Sequence, residues 1–207
     1  MHDRRHTGRT ASRWIGGGML TLALAATSAC GQMTSTGRSS SYLLIDSLQA
    51  ASGAKPDSFS TTLQADVLTK GGIYEDPGKI TLRIALKDSG TGLLPNTPTA
   101  TNRVTVTRYH VSFRRSDGRN TQGVDVPYAF DGGATGTFDS AGGSLGFVMV
   151  RAQAKLESPL LELRGGGGSL VISTLADVTF YGQDQNGNQV AVTGTISVNF
   201  ADWADPA

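Results

Sequence analysis

Lys79-Ile80-Thr81-Leu82-Arg83-Ile84-Ala85-Leu86-Lys87 decides the fold class. Ile80, Leu82, Ile84 and Leu86 fall on one parity, and Lys79, Thr81, Arg83 and Lys87 on the other. Successive side chains of an extended chain point to opposite faces, so strict alternation predicts a strand with one buried and one wet face. That is the pattern of an antiparallel sheet covered on one side.

The segments on either side read in the same way. Upstream, Tyr42-Leu43-Leu44-Ile45, continued by Leu48, predicts a first strand, and Thr62 to Thr69 a second; Ala54-Lys55-Pro56-Asp57 between them is a turn. Downstream, Leu93 to Asn102, with Pro95 and Pro98, reads as a loop. Within Arg103 to Arg115 the apolar residues change phase: Val104 and Val106 are even, whereas Tyr109, Val111 and Phe113 are odd. A one-residue slip turns every side chain to the other face, so a bulge or a change of sheet is expected near Thr107-Arg108. Asp117-Gly118 opens a turn, and Val126 to Phe130, carrying Pro127, predicts an edge strand.

Leu145 to Leu156 is apolar on both parities and predicts a strand that is bulged or buried on both sides, with a helix as the alternative. Ser158-Pro159 before Leu160, Leu161, Glu162 and Leu163, then Gly165, predicts a short helical turn near 158–164, with serine as N-cap and proline in the first position. Gly165 to Gly168 is a connection. Ser169–Gly182 and Gln189–Phe200 form a closing hairpin around Asn186-Gly187. In its second strand Val190, Val192, Ile196, Val198 and Phe200 share a face.

Residues 41–207 suit one domain, large enough to bury a core without disulfides or metals. The 27 glycines have no three-residue period and lie among short apolar segments, which favours a turn-rich β protein over a collagen-like or disordered chain. No segment of 20–50 residues repeats. The expected architecture is an all-β, antiparallel β-sandwich of seven or eight strands. Tyr109-His110-Val111 in a central strand, with the late hairpin, resembles immunoglobulin-like or fibronectin type III domains over Lys79 to Phe200. The Cys…Trp…Cys pattern of true immunoglobulin domains is absent, since Cys30 is the one cysteine and Trp203 follows the last strand.

A second resemblance concerns the amino terminus. Met1 to Arg13, with Arg4, Arg5, Arg9 and Arg13, precedes an uncharged apolar run from Trp14 to Ala29 that ends in Thr27-Ser28-Ala29-Cys30-Gly31. This resembles a bacterial lipoprotein signal peptide with its lipobox, although Thr27 stands where leucine is commonest. The resemblance implies cleavage before Cys30 and lipid on its sulfur and on the new amino terminus. Residues 1–29 would then be signal peptide, 30–40 (polar from Gln32 to Ser40) a lipidated cysteine and flexible tether, and 41–207 the domain. Gly16, Gly17 and Gly18 leave Met19 to Ala26 as the strongest apolar block, short of the ~20 residues of a membrane span. Ala23-Leu24-Ala25 also satisfies the rule for ordinary signal peptidase, and an uncut anchor is a further alternative. Arg4-Arg5 is followed by His6-Thr7, where a twin-arginine signal has apolar residues. Gly31, in place of an aspartate that would signal inner-membrane retention, points by analogy to the outer membrane if the organism has two. The implied location is the cell envelope.

The whole chain has 18 basic and 17 acidic residues. The leader contains Arg4, Arg5, Arg9, Arg13 and Asp3, leaving 14 basic and 16 acidic residues and a net charge of −2. Arg114-Arg115 with Arg119 is the nearest thing to a basic cluster, so nucleic acid is not an expected partner.

Few residues suggest chemistry. His110 is the one histidine beyond the leader, and no Gly-x-Ser-x-Gly elbow accompanies it. A structural role is expected for it, and a zinc site is not. Asp184-Gln185-Asn186-Gly187-Asn188 begins like a calcium loop, but position twelve is Thr195 where a bidentate glutamate is needed. Asp66, Glu75 and Asp76 could pair for hydrolysis, yet scattered solvated acids account for them. Gly165 to Gly168 lacks the following Lys-Ser or Lys-Thr of a phosphate loop. Tyr128, Phe130 and Phe138 form the candidate partner or ligand surface, against the alternative that they pack in the core. The expectation is a non-catalytic binding or envelope structural role without metal or cofactor, its partners the membrane through Cys30 and an envelope protein or glycan. The alternative is a carbohydrate-binding module or small surface hydrolase on a sandwich scaffold, and an assembly subunit pairing through the Val126–Phe130 edge is a third.

Overall fold

The computed structural model describes residues 37–70 and 72–203. The leader, Cys30 and residues 31–36 of the expected tether lie outside the described residues. Ten strands follow in order: β1 (Ser41–Ala50), β2 (Thr62–Asp66), β3 (Asp76–Leu86), β4 (Gly90–Thr91), β5 (Leu94–Pro95), β6 (Val104–Arg114), β7 (Phe130–Phe138), β8 (Gly143–Val150), β9 (Ile172–Asp184) and β10 (Gln189–Ala201). They make a three-stranded sheet, β1-β3-β8, a five-stranded sheet, β2-β10-β9-β6-β7, and a small β4-β5 hairpin. The fold is all-β.

The alternation in β3 works as its sequence predicts. Ile80, Leu82 and Ile84 are buried, and β3 lies in the middle of its sheet, with Ile80 opposite both Leu48 and Leu145. In β10, Val190, Ile196, Val198 and Phe200 are likewise buried. Inward residues of both sheets share one core, in which Tyr109, Phe147 and Phe180 are mutual neighbours at 5.2–6.0 Å between ring centroids. Burying each large apolar side chain contributes about 1.5–3 kcal/mol, which makes this layer the main stabilising element.

The phase change in β6 is a bulge. Its register against both β7 and β9 shifts between Val106 and Arg108, so Val104 and Val106, then Tyr109, Val111 and Phe113, all reach the core. β2 runs parallel to β10, with Leu63 opposite Val198; every other strand pair is antiparallel.

Four expectations need correction. Val126 to Phe130 is not an edge strand: Val126 makes only an isolated bridge to Gln122, and the edge strand is β7, which begins at Phe130. Leu93 to Asn102 is not all loop, since it supplies β5 and a 3-10 turn at Ala100–Asn102. Leu145–Leu156 divides into β8 and a 3-10 turn, Ala152–Leu156. The next turn, Leu160–Leu163, has Pro159 rather than Ser158 in the cap position, and Ser158 Oγ donates instead to Glu162 at 2.7 Å.

The two ends of the paired sheets differ. At one end lie residues 37–40, the end of β3, the β4-β5 hairpin, the Ala100–Asn102 turn and the β9-β10 turn. At the other lie the start of β3, the end of β8, both later 3-10 turns, the start of β9 and the loop 115–129. Residues 37–40 are already tied to the fold: Lys87 N–H donates to Ser40 O at 2.9 Å, Lys87 Nζ to Gly37 O at 2.8 Å, and Asn102 Nδ2 to Ser40 Oγ at 2.9 Å.

Candidate functional site

The sequence-predicted residues do not converge. Phe130 and Phe138 are core residues with only 7% and 3% exposure, whereas Tyr128 is about half exposed, so the three form no common surface. Phe130 packs edge-on to Tyr109 at 6.3 Å and carries the Arg151 guanidinium over its ring at 4.5 Å. Both phenylalanines fill inward positions of a glycine-rich strand.

His110 lies on the outer face of the five-stranded sheet, with Nδ1 3.2 Å from Asp131 Oδ1. Arg108 reaches the same carboxylate at 3.5 Å and stacks over Tyr181 at 3.8 Å. Nearby, Arg114 and Thr195 hold Asp177; burial opposes this, but their hydrogen bonds outweigh it and keep the carboxyl below its usual range. Cross-strand threonine pairs, Thr105–Thr137 and Thr179–Thr193, at 2.9 Å each, complete a polar face. A shallow depression of about 320 Å³ beside it is lined by Thr62, Ser116, Ser173, Thr174, Leu175, Ser197 and Asn199, with no carboxylate or imidazole among them. This arrangement can offer hydroxyls and amides to a partner; it holds no nucleophile–base pair.

Asp184 serves its turn. Burial would raise its pKa, but donation from Asn188, Asn186 and Ser39 prevails and holds the carboxylate low. Gly187 has φ +81°, as the Asn-Gly hairpin requires. Among the described residues, no group of three or more histidine, cysteine, aspartate or glutamate side chains is placed to hold a metal ion.

The acidic residues read as scattered and solvated include two that are buried. Asp66 accepts from Leu68 N, Thr69 Oγ1 and Trp203 N, which ties β2 to the end of β10. Asp76 is fully buried and accepts from Lys155 Nζ at 2.8 Å and Gly53 N at 2.7 Å, both on Oδ1. Burial pushes its carboxyl up to about 6, against the pull of the ammonium and the amide. Lys155, 1% exposed, was hidden in an apolar run and carried no sequence signal as a partner. Its carbonyl accepts from Arg164 at 2.6 Å, so the pair also fastens the two 3-10 turns to the start of β3. Single removal of a buried partner strands a charge, which gives the pair a structural function.

The second missed feature is apolar and exposed. Leu93 and Leu94, at the tip of the β4-β5 hairpin, are 94% and 78% exposed, the two highest values among the described large apolar residues. No helix among the described residues is long and apolar enough to cross a membrane. No family model, curated protein or solved structure matches this chain.

Proposed function

We propose that the chain is an exported, membrane-anchored lipoprotein, lipidated on Cys30, whose β domain has a non-catalytic binding or structural role in the cell envelope. The observation that carries this reading is the order of basic residues, apolar run and Thr27-Ser28-Ala29-Cys30-Gly31 at the amino terminus. Two or more acyl chains suffice for stable anchoring where one does not, so a di- or triacylated Cys30 would hold the domain at a membrane without a spanning helix. Gly31 favours the outer membrane in a two-membraned organism.

The domain itself we read as immunoglobulin-like. The sheet orders support this: β1, β3 and β8 take the places of strands A, B and E, while β6, β7, β9 and β10 take those of C, C′, F and G. β2, parallel to β10, extends the second sheet. A fold of this kind displays surfaces and does not itself imply an activity. The polar face around Arg108, Tyr181 and His110 is the surface best suited to a protein partner in the envelope.

Cell fractionation tests the anchor. The wild-type chain is expected in the membrane fraction, and Cys30→Ala in the soluble fraction. Equal partition of the two would contradict the reading.

A further inference from the structure

The two most exposed of the described large apolar side chains lie at the end of the domain where the chain from Cys30 enters. The base of the β4-β5 hairpin follows β3 directly, Lys87 binds Gly37 and Ser40, and Asn102, on the return path, also binds Ser40. Only residues 31–36 separate Cys30 from Gly37. Even fully extended, a connection of that length spans no more than about 25 Å, so a lipid on Cys30 keeps this end of the domain near the bilayer.

We propose that the Leu93-Leu94 tip inserts into the lipid surface that holds Cys30, as a second contact between domain and membrane; this rests on the lipoprotein reading above. The hairpin is suited to it. Entry into an apolar medium penalises unpaired backbone groups, and here Gly90 N–H donates to Asp88, Leu94 N–H to Thr91 Oγ1 and Asn96 N–H to Ser89 O, while Pro95 has no N–H. Two leucines side by side at a narrow tip gain by leaving water, and little in the fold depends on them. With the acyl chains as first anchor, the tip acts at high effective concentration, so a contact too weak to bind alone still fixes the domain's orientation.

The test uses the full chain, recovered from membranes and placed in phosphatidylethanolamine–phosphatidylglycerol vesicles with brominated acyl chains. Gly92→Cys leaves both leucines in place and meets open space; with Cys30 consumed by lipid it is the one free thiol for an environment-sensitive dye. Val124→Cys, 65% exposed in the loop at the opposite end, is the control. Intact mass first establishes whether Cys30 is acylated. On acylated protein, a blue-shifted dye at Gly92→Cys, quenched severalfold more than at Val124→Cys and released by Leu93→Asp with Leu94→Asp at unchanged Tm, is the expected result. Acylated protein with equal, water-like signals at both sites overturns membrane insertion while leaving the anchor standing. Protein without acyl groups overturns both readings.

Discussion

Lys155 Nζ lies 2.8 Å from Asp76 Oδ1, with both side chains withdrawn from solvent and 79 residues apart in sequence. The pair joins the turn after β8 to the first residue of β3. Asp76 Oδ2 has no partner, so Lys155 and Gly53 stabilise the carboxylate through one oxygen only. Such a pair adds little net stability over an apolar substitute, yet breaking it is costly.

Lys155→Met or Asp76→Leu alone is therefore expected to destabilise the domain by about 3–5 kcal/mol, since each leaves an uncompensated buried group. Combining Lys155→Met with Asp76→Leu recovers most of that loss. Urea unfolding of the three variants checks this; a double variant as unstable as the sum of its parts would argue against a coupled pair.

The same carboxyl gives the domain a pH signature. Burial raises Asp76 in the folded state to about 6 from an ordinary value of 3.8. Between those values the folded chain holds a proton that the unfolded chain has released, so the contribution of Asp76 to stability falls as pH rises from about 4 to about 6. The full change is on the order of 3 kcal/mol. Subtracting the stability of Asp76→Asn isolates it: the wild type is expected to lose its relative advantage over that range in urea titrations.

Tyr109 links the sheets through its hydroxyl as well as its ring. Val148, opposite Pro77 in β8, donates its N–H to Tyr109 Oη at 3.1 Å, while the Pro77 carbonyl is taken by Ala51 N–H at 2.9 Å. Tyr109→Phe leaves the half-buried Val148 N–H without this partner, and a loss of about 1 kcal/mol is expected. Thermal unfolding of this variant measures the cost directly.

Gly132 sits against the same ring, and a methyl group there would overlap Tyr109 Cζ and Oη. Gly132→Ala is expected to cost about 1–3 kcal/mol through overpacking. Gly133→Ala, one residue along and facing open space, serves as its control and is expected to change stability by far less.

What was legible in the sequence depended on local period. The bulge in β6 could be placed because Val106 and Tyr109 stand on opposite parities; β3 could be placed because Ile80, Leu82, Ile84 and Leu86 alternate without a break, and β10 because Gly194 alone interrupts the series from Val190 to Phe200. β7 could not, because its inward positions after Phe130 are Gly132, Ala134, Gly136 and Phe138: two glycines make room for Tyr109 and for Phe138 with Leu145, and so erase the alternation. Pro127 then drew the edge strand a few residues too early. Lys155 was illegible because its partner is fixed by tertiary packing alone. The Leu93-Leu94 tip lies in a segment whose prolines suggest loop, and only the fold shows that its hairpin stands at the end of the domain where Lys87 and Asn102 bind Ser40.

Mass spectrometry of the amino-terminal peptide, taken from the membrane fraction beside a Cys30→Ala control, tests the central claim most directly. An acylated peptide beginning at Cys30, lost in the control together with membrane retention, is the predicted result. An unmodified peptide beginning near Ala26, from protein in the soluble fraction, would contradict it.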